Sequence, residues 1–241
     1  MGNTVESKTA VITGATGGIG AAVAEALSAT GWQLVLNARS ADKLHGLASR
    51  LRSPVALVAG DLRESAVPGA LLQAAIKNFG RCDVCFNNAG LLEVGPVETI
   101  DVERVCDMAR VNVEATFRIC YTFLKQFVAQ GSGHLINTSS VLGTKVRPTA
   151  GAYAGTKHAI EALSEALRME LIRTNVQVSC IQPGLVTTGL HDRWVVHPSQ
   201  LMGIAEPLQP RDIARMVMFI LEQPPHVRIP QLMILPKGHE I

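Results

Sequence analysis

The 241-residue sequence contains little charge and no long apolar run. Asp, Glu, Lys and Arg make up 17% of the residues and leave a formal net charge of +2, so no basic stretch suggests nucleic acid or an anionic membrane surface. No uninterrupted apolar run approaches the roughly 18 residues of a membrane span, and no charged segment followed by a long apolar stretch opens the chain. We therefore expect a cytoplasmic protein with a small-molecule partner and with neither a membrane nor a nucleic-acid partner.

Cysteine and histidine are too scattered to predict a disulfide framework or a metal site. The five cysteines are an odd number in a chain without a secretory signal, so we expect reduced, buried thiols. Cys82 and Cys85 have C-x-x-C spacing, but they run directly into the apolar segment VCFNNAG. If that segment is a strand, the two side chains point to opposite faces with Cα atoms about 10 Å apart, too far for a disulfide. The seven histidines form no ligand cluster, and no metal site is predicted.

The chain is long enough, and at 47% hydrophobic residues apolar enough, for one large core. Apolar runs of strand length alternate with longer stretches in which apolar residues recur at helical spacing. Seven predicted strands cover residues 9–13, 34–38, 55–59, 83–88, 134–140, 176–182 and 231–236. Six helical stretches join them, at 19–30, 40–51, 66–79, about 101–130, about 152–173 and 210–222.

Most of the predicted strands are continuously apolar, as expected when helices cover both faces of a parallel sheet. Right-handed crossovers then give a doubly wound sheet that binds ligands at the carboxyl ends of its strands. The sequence predicts an α/β protein, a Rossmann-type doubly wound sheet of seven parallel strands with helices on both faces, as a single domain over residues 1–241. Residues from about 189 to 209 show no clear periodicity and are predicted to be a substrate loop.

The first strand leads into the first helix through a glycine-rich loop, TGATGGIG at residues 13–20. Glycines let the backbone approach a pyrophosphate closely, and the helix N-terminus offers unpaired N–H groups and a positive dipole. The spacing of Gly14, Gly18 and Gly20 departs from G-x-G-x-x-G, so an ordinary turn is the alternative. The position between strand and helix favours a phosphate-binding loop.

The second strand ends in LNARS. NAD-selective sites tend to carry an acidic side chain here for a ribose hydroxyl, whereas an arginine can bind a 2′-phosphate. Ala38 and Arg39 therefore favour NADP(H), with NAD(H) left open. The alternative for Arg39 is a solvated residue that leads into the next helix.

These and later motifs together resemble the short-chain dehydrogenase/reductase family. TGATGGIG, NNAG at 87–90, Asn112 in RVNVEAT, the serine pair at 139–140, YAGTK at 153–157 and PGLVTT at 183–188 occur in the family's order. Ser140 lies 13 residues before Tyr153, the spacing common in the family's short single-domain branch, and is preferred to Ser139. The loop after Thr188 and the ending HVRIPQLMILP bear a weaker similarity to clavulanate-type aldehyde and ketone reductases.

The resemblance implies an oxidoreductase that transfers a hydride between NADP(H) and a carbonyl or alcohol substrate, and a homodimer or homotetramer. Tyr153 would be the general acid/base, and Ser140 would hydrogen-bond the substrate oxygen. Lys157 would bind the nicotinamide ribose and lower the tyrosine pKa, while Asn112 would hold a water of a proton relay. The implied cofactor contacts are Gly14, Thr16, Gly17, Gly18, Ile19, Gly20, Arg39, Ser40, Asp61, Leu62, Asn88, Ala89, Gly90, Tyr153, Lys157, Pro183, Gly184, Val186 and Thr188.

Elementary chemistry agrees with these roles. Tyr153 and Lys157 lie four residues apart, so on a helix they share one face. A phenol is a poor base near neutral pH, and a cation within about 4 to 6 Å favours the phenolate. The alternatives are a non-catalytic NADP(H)-sensing or scaffold protein on the same fold, and the epimerase and dehydratase branch, whose chains are typically longer.

Some residues depart from the family pattern or extend it. Thr16 stands where NADP(H)-preferring relatives often carry a basic residue, so recognition of a 2′-phosphate would rest mainly on Arg39. Gly155 replaces a frequent alanine, at about 1 kcal/mol of helix propensity. A cationic entrance for an acidic substrate is a further hypothesis, although an ordinary solvated surface is preferred. Its residues would be Lys145, Arg147, His191, Arg193, Trp194 and His197.

Overall fold

The computed structural model describes residues 7–192, 196 and 198–241. Its strands form one sheet in the order β3-β2-β1-β4-β5-β6-β7, and every neighbouring pair is parallel. The strands are β1 (Thr9–Ile12), β2 (Gln33–Ala38), β3 (Val55–Ala59), β4 (Val84–Asn87), β5 (Gly133–Thr138), β6 (Val176–Pro183) and β7 (Gln231–Ile234). The predicted α/β fold with a seven-stranded parallel sheet is confirmed.

Helices cover both faces of this sheet and enclose two apolar layers. The helices are α1 (Gly18–Ala29), α2 (Ala41–Ala48), α3 (Val67–Phe79), α4 (Val102–Ala109), α5 (Thr116–Gln130), α6 (Gly151–Glu170), α7 (Pro198–Leu201) and α8 (Pro210–Leu221). One layer packs α1, α2 and α8 against the sheet, and the other packs α3, α5 and α6 against the opposite face. The central strands β1, β4 and β5 are buried along most of their length, because helices cover them from both sides.

The stretch predicted as one helical segment over residues 101–130 is divided in the structure. Asp101 caps α4 by accepting a hydrogen bond from the Arg104 N–H group, at 3.1 Å. A π-helical turn, Arg110–Ala115, then separates α4 from α5. A π turn inserts a residue into the helical register and so rotates the side chains that follow it. The turn contains Asn112, whose side chain is buried.

From β1 the chain adds β2 and then β3 on one side of β1. It then returns to place β4 on the opposite side of β1, and the later strands follow in that direction. Such a reversal of strand order leaves a crevice at the carboxyl ends of the strands, where doubly wound sheets bind ligands. The loops that follow β1, β4, β5 and β6 meet at this crevice.

The cysteines are free thiols, but two expectations about them were wrong. Cys82 and Cys85 do not point to opposite sides of the sheet, because β4 begins only at Val84 and both side chains lie in one apolar layer. Cys106 is exposed, whereas the other four are buried. Burial raises the pKa of the Cys120 and Cys180 thiols to about 12, so both stay protonated at neutral pH.

Within the described ranges, no helix is long and apolar enough to cross a membrane. The same residues contain no group of three His, Cys, Asp or Glu side chains placed to hold a metal ion.

Two glycine-to-alanine substitutions should change stability in opposite directions. A Cβ at Gly133 would lie 2.2 Å from Cγ of the buried Phe127 ring, so Gly133→Ala should lower the free energy of unfolding by about 1–3 kcal/mol.

A Cβ at Gly155, inside α6, would meet no atom within 4 Å, so Gly155→Ala should raise the free energy of unfolding by about 0.5–1 kcal/mol. Urea unfolding at one protein concentration measures both, and a destabilised Gly155→Ala protein would show that close packing needs this glycine.

Candidate active site

The glycine-rich loop brings the end of β1 close to the loop that follows β4. Gly14 has φ +61°, and a Cβ there would lie 2.9 Å from the Cα of Ala89. A Cβ at Gly20 would lie 2.3 Å from the Gly14 carbonyl oxygen. Gly17 precedes α1, and no side chain caps that helix, so its first N–H groups remain available to an anion.

A chain of buried polar side chains holds the carboxyl ends of the strands together. The Thr13 hydroxyl donates to Asn87 Oδ1 at 3.2 Å and accepts from the Asn88 N–H group at 2.9 Å. Asn87 Nδ2 donates to Asn137 Oδ1 at 3.0 Å, and Asn137 Nδ2 donates to the Ser164 hydroxyl at 3.0 Å. This chain joins β1, β4, β5 and α6, and so fixes where the loops of the crevice begin.

Asn112 fastens the loop after β4 to α6. Its Oδ1 accepts from the Leu91 N–H group at 2.8 Å, and its Nδ2 donates to the Leu91 carbonyl at 2.9 Å and to the Thr156 hydroxyl at 3.1 Å. Both N–H bonds of the amide are thus used. A Cβ at Gly90 would lie 3.3 Å from Asn112 Oδ1, so the packing here is close. The structure therefore gives the Asn112 side chain a positioning role.

Ser140 and Tyr153 are both buried at the end of β5. The Ser140 side chain accepts a hydrogen bond from the Leu142 N–H group at 3.1 Å and so caps the short 3-10 turn after β5. Tyr153 is the third residue of α6. Burial raises the pKa of Tyr153 to about 12, while its hydrogen bond with Ser140 and the charge of Arg147 act in the opposite direction. The phenol is therefore protonated at neutral pH.

The neighbouring Ser139 has a different environment. Its hydroxyl has no hydrogen-bond partner among the described residues, and a Cβ at Gly143 would lie 2.4 Å from it. The two serines thus differ, since the Ser140 hydroxyl accepts from the Leu142 N–H group and acts against the burial that raises the phenol pKa.

Lys157 lies below the phenol on the same face of α6. Its Nζ donates to the Thr138 carbonyl at 2.8 Å and is 5.8 Å from the centroid of the Tyr153 ring. Burial lowers the pKa of Lys157 to about 8, and the nearby Cys180 and Glu161 oppose that shift. The expected lowering of the phenol pKa by this lysine is not found. Burial of the phenol outweighs the other effects on it, and the ammonium group instead points to the Thr138 carbonyl.

The residues predicted to contact the adenosine end follow β2 and β3. Arg39 is exposed directly after β2, and its charge, with the larger effect of Arg63, lowers the pKa of Asp61. Asp61 forms an ion pair with Arg63 at 2.7 Å. The Ser40 hydroxyl caps α2 by accepting from the Lys43 N–H group, and the Leu62 side chain is buried in the core, which leaves its backbone to contact a ligand. Thr16 and Ile19 are partly exposed in or next to the glycine-rich loop.

The segment after β6 contacts the glycine-rich loop from the other side. Pro183 ends β6, and the Gly184 N–H group donates to the Ile234 carbonyl at 2.8 Å. A Cβ at Gly18 would lie 3.0 Å from Cγ2 of Thr188 and 3.2 Å from Cγ of Pro210. Val186 is buried, and it bridges Leu208 in parallel.

The C-terminal segment also reaches the site, which the sequence patterns did not indicate. Leu235 packs in the apolar cluster that contains Tyr153, and His239 Nδ1 accepts a hydrogen bond from the Leu185 N–H group at 3.3 Å. A Cβ at Gly184 would lie 2.6 Å from that nitrogen. The segment after β7 has no periodic pattern that could have revealed this contact. Of the predicted cationic entrance, Arg193, Trp194 and His197 lie outside the described residues.

Known proteins resemble this chain over almost its full length. The profile of the short chain dehydrogenase family matches residues 8–197. An uncharacterised oxidoreductase of Staphylococcus epidermidis is 34% identical over 232 residues, which make up 96% of this chain and 98% of that protein.

Two solved structures show the same fold with a nucleotide bound. Alcohol dehydrogenase from the archaeon Thermococcus sibiricus, in complex with 5-hydroxy-NADP, is 30% identical with a TM-score of 0.87, over 98% of this chain and 99% of its own. The closed form of serine dehydrogenase in complex with NADP+ is 26% identical with a TM-score of 0.90, over 97% of this chain and 96% of its own.

Proposed function

This chain belongs to the short-chain dehydrogenase/reductase family of oxidoreductases, and we propose that it transfers a hydride between NADP(H) and a carbonyl or alcohol group. The observation that carries this proposal is the placement of Ser140, Tyr153 and Lys157 on one crevice with the glycine-rich loop. Two solved structures of similar fold, an alcohol dehydrogenase with 5-hydroxy-NADP and a serine dehydrogenase with NADP+, support the reaction and the cofactor.

The crevice fits a dinucleotide. Side chains are excluded at Gly14 and Gly20, and the uncapped start of α1 can donate N–H bonds to a pyrophosphate. Arg39 would bind the 2′-phosphate, and the segments at 88–90 and 183–188 would border the nicotinamide end. The nicotinamide supplies the hydride when bound.

The protein side chains would manage the proton and the developing charge. Because its pKa is about 12, the Tyr153 phenol holds its proton through the neutral range and can donate it to a carbonyl oxygen. Ser140 would donate a hydrogen bond to the same oxygen as negative charge develops there. Lys157 is mainly charged below its pKa of about 8 and would stabilise that charge and bind a ribose hydroxyl. A relay water at Asn112 would have to bind its main chain, since its amide N–H bonds are used.

Tyr153→Phe should keep NADPH binding and lower kcat by about 10²- to 10⁴-fold, because the proton donor is lost while the ring is kept. Tyr121→Phe is the matched control, since Tyr121 is the only other tyrosine and is half-exposed on α5. Binding is measured by quenching of NADPH fluorescence, and turnover by NADPH oxidation with a panel of aldehydes and ketones. Unchanged turnover in Tyr153→Phe would remove the acid role. A wild-type protein that binds NADPH but reduces no carbonyl would instead favour the sensing or scaffold alternative.

Arg39→Asp should shift cofactor preference from NADPH toward NADH. The loss of a charge-assisted contact and the added repulsion should lower kcat/KM with NADPH by about tenfold or more, with little change for NADH. Arg52→Ala, an exposed arginine beyond α2, is the control and should leave the NADPH to NADH ratio unchanged. A wild-type preference for NADH would contradict the assignment.

We also propose that the protein is a cytoplasmic homodimer or homotetramer. Its free thiols fit a reducing compartment, and α5 presents Phe117, Tyr121 and Val128 to the outside with exposures of 37%, 47% and 52%. Met169 and Ile172, near the end of α6, are also exposed.

Val128→Glu should therefore shift the oligomer toward monomer, because a charge would be buried in the interface. Val97→Glu, at a valine that is 92% exposed in the loop after β4, should leave the mass unchanged. Light scattering coupled to size exclusion gives both masses at one concentration. A monomeric wild-type protein would contradict the proposed oligomer.

A further inference from the structure

Arg147 lies in the loop that joins the 3-10 turn of Ser140 to the start of α6. Residues 144–149 of this loop are exposed. Thr149 has φ +64°, unusual for a residue with a side chain, and its carbonyl accepts from the Gly95 N–H group at 2.8 Å. The loop is thus held against the segment after β4, and Arg147 is six residues from the phenol in the chain.

The Arg147 guanidinium has no carboxylate partner within the part of the chain that the structure describes. Its Nη1 contacts the Met202 sulfur at 3.4 Å, and Met202 belongs to the predicted substrate loop. A thioether is a weak acceptor, so this contact leaves the charge uncompensated and is easily exchanged for a better one. A planar guanidinium matches a carboxylate with two parallel hydrogen bonds.

The charge of Arg147 acts on the reaction site itself. Burial raises the pKa of the Tyr153 phenol and lowers that of His239; the charge of Arg147 opposes the first shift and adds to the second, so its field reaches the α6 and C-terminal sides of the site. No acidic side chain among the described residues contributes to either shift. His239 Nδ1 accepts from the Leu185 N–H group, so the neutral ring carries its proton on Nε2 and adds no negative charge.

We propose that the substrate carries a carboxylate, which Arg147 binds while the carbonyl oxygen lies at Ser140 and Tyr153. This rests on the proposed oxidoreductase function and narrows its substrates to oxo acids and, in reverse, hydroxy acids. Bound NADPH would supply the hydride that forms the new C–H bond at the carbonyl carbon; the C=O π bond would break, its electron pair would accept the Tyr153 proton, and solvent would reprotonate the phenolate. The products are the hydroxy acid and NADP+, and the carboxylate is unchanged.

The test compares each oxo acid with its own methyl ester, which has the same carbonyl but no charge. The probes are 3-oxobutanoate, 4-oxopentanoate and their methyl esters, assayed by NADPH oxidation. In the wild-type protein kcat/KM should be higher for at least one acid than for its ester. Arg147→Ala should lower this acid-to-ester ratio by about 10-fold or more, and raised salt should lower it in the wild type. Arg147→Lys should fall between.

Arg52→Ala is the control, because Arg52 is an exposed arginine beyond α2 and outside the predicted cationic entrance. It should leave the acid-to-ester ratio unchanged. An acid-to-ester ratio of kcat/KM below one for both pairs in the wild type would overturn the carboxylate proposal, and so would a ratio that Arg147→Ala does not change. Reduction of the esters would in either case still support the oxidoreductase function.

A binding measurement tests the anion site even if the protein reduces none of the probes. If neither the acids and esters nor the panel of aldehydes and ketones is reduced, the proposed function fails. The affinity of the NADP+-loaded protein for 3-hydroxybutanoate then decides on the anion site. An affinity weakened by Arg147→Ala and kept in Arg52→Ala would support the site, and an equal affinity in all three proteins would overturn it.

Discussion

The Thr13 hydroxyl holds together the two strands on which the whole site is built. It takes two roles at once, as donor to Asn87 on β4 and as acceptor for the backbone that begins the next loop. Buried polar groups of this kind are costly unless every partner is present, and here the chain continues through Asn137 to Ser164 on α6. The carboxyl ends of β1, β4 and β5 and the helix that carries Tyr153 and Lys157 are therefore set in one arrangement. Within this arrangement the glycine-rich loop approaches Ala89 closely because Gly14 has no side chain.

Burial determines the protonation of the two ionisable groups of the site. It raises the pKa of Tyr153 and lowers that of Lys157, since each ionised form loses its hydration. Tyr153 stays neutral and Lys157 is mainly charged at neutral pH, so both can donate hydrogen bonds. Such a pair suits proton delivery to a carbonyl, whereas removing a proton from an alcohol requires a phenolate and becomes easier as the pH rises. The Thr138 carbonyl makes the buried ammonium tolerable by accepting one of its hydrogen bonds.

The sequence predicted the sheet well because strands buried on both faces are rich in apolar residues, and because glycine marks the close approach at Gly14. It also predicted that Tyr153 and Lys157 share a face of a helix, since helical geometry alone requires this. It did not predict the π turn at Asn112, because one extra residue shifts the phase of the apolar pattern only slightly, and the segments on either side still read as helical. The position of His239 was equally inaccessible, since it depends on tertiary packing of a segment without periodicity.

The pKa of the Tyr153 phenol also depends on tertiary packing and could not be predicted from the sequence. Spacing placed a cation beside Tyr153, but the outcome depends on how deeply both groups are buried and on where the ammonium points. Neither quantity is encoded in spacing.

Gly18 lies close to both boundaries of the segment 189–209, because a Cβ at this position would lie 3.0 Å from Cγ2 of Thr188 just before the segment and 3.2 Å from Cγ of Pro210 just after it. A larger residue at position 18 would therefore displace both boundaries at once. The missing side chain of one glycine thus allows the start of α1 and the two ends of the predicted substrate loop to pack together at a single point.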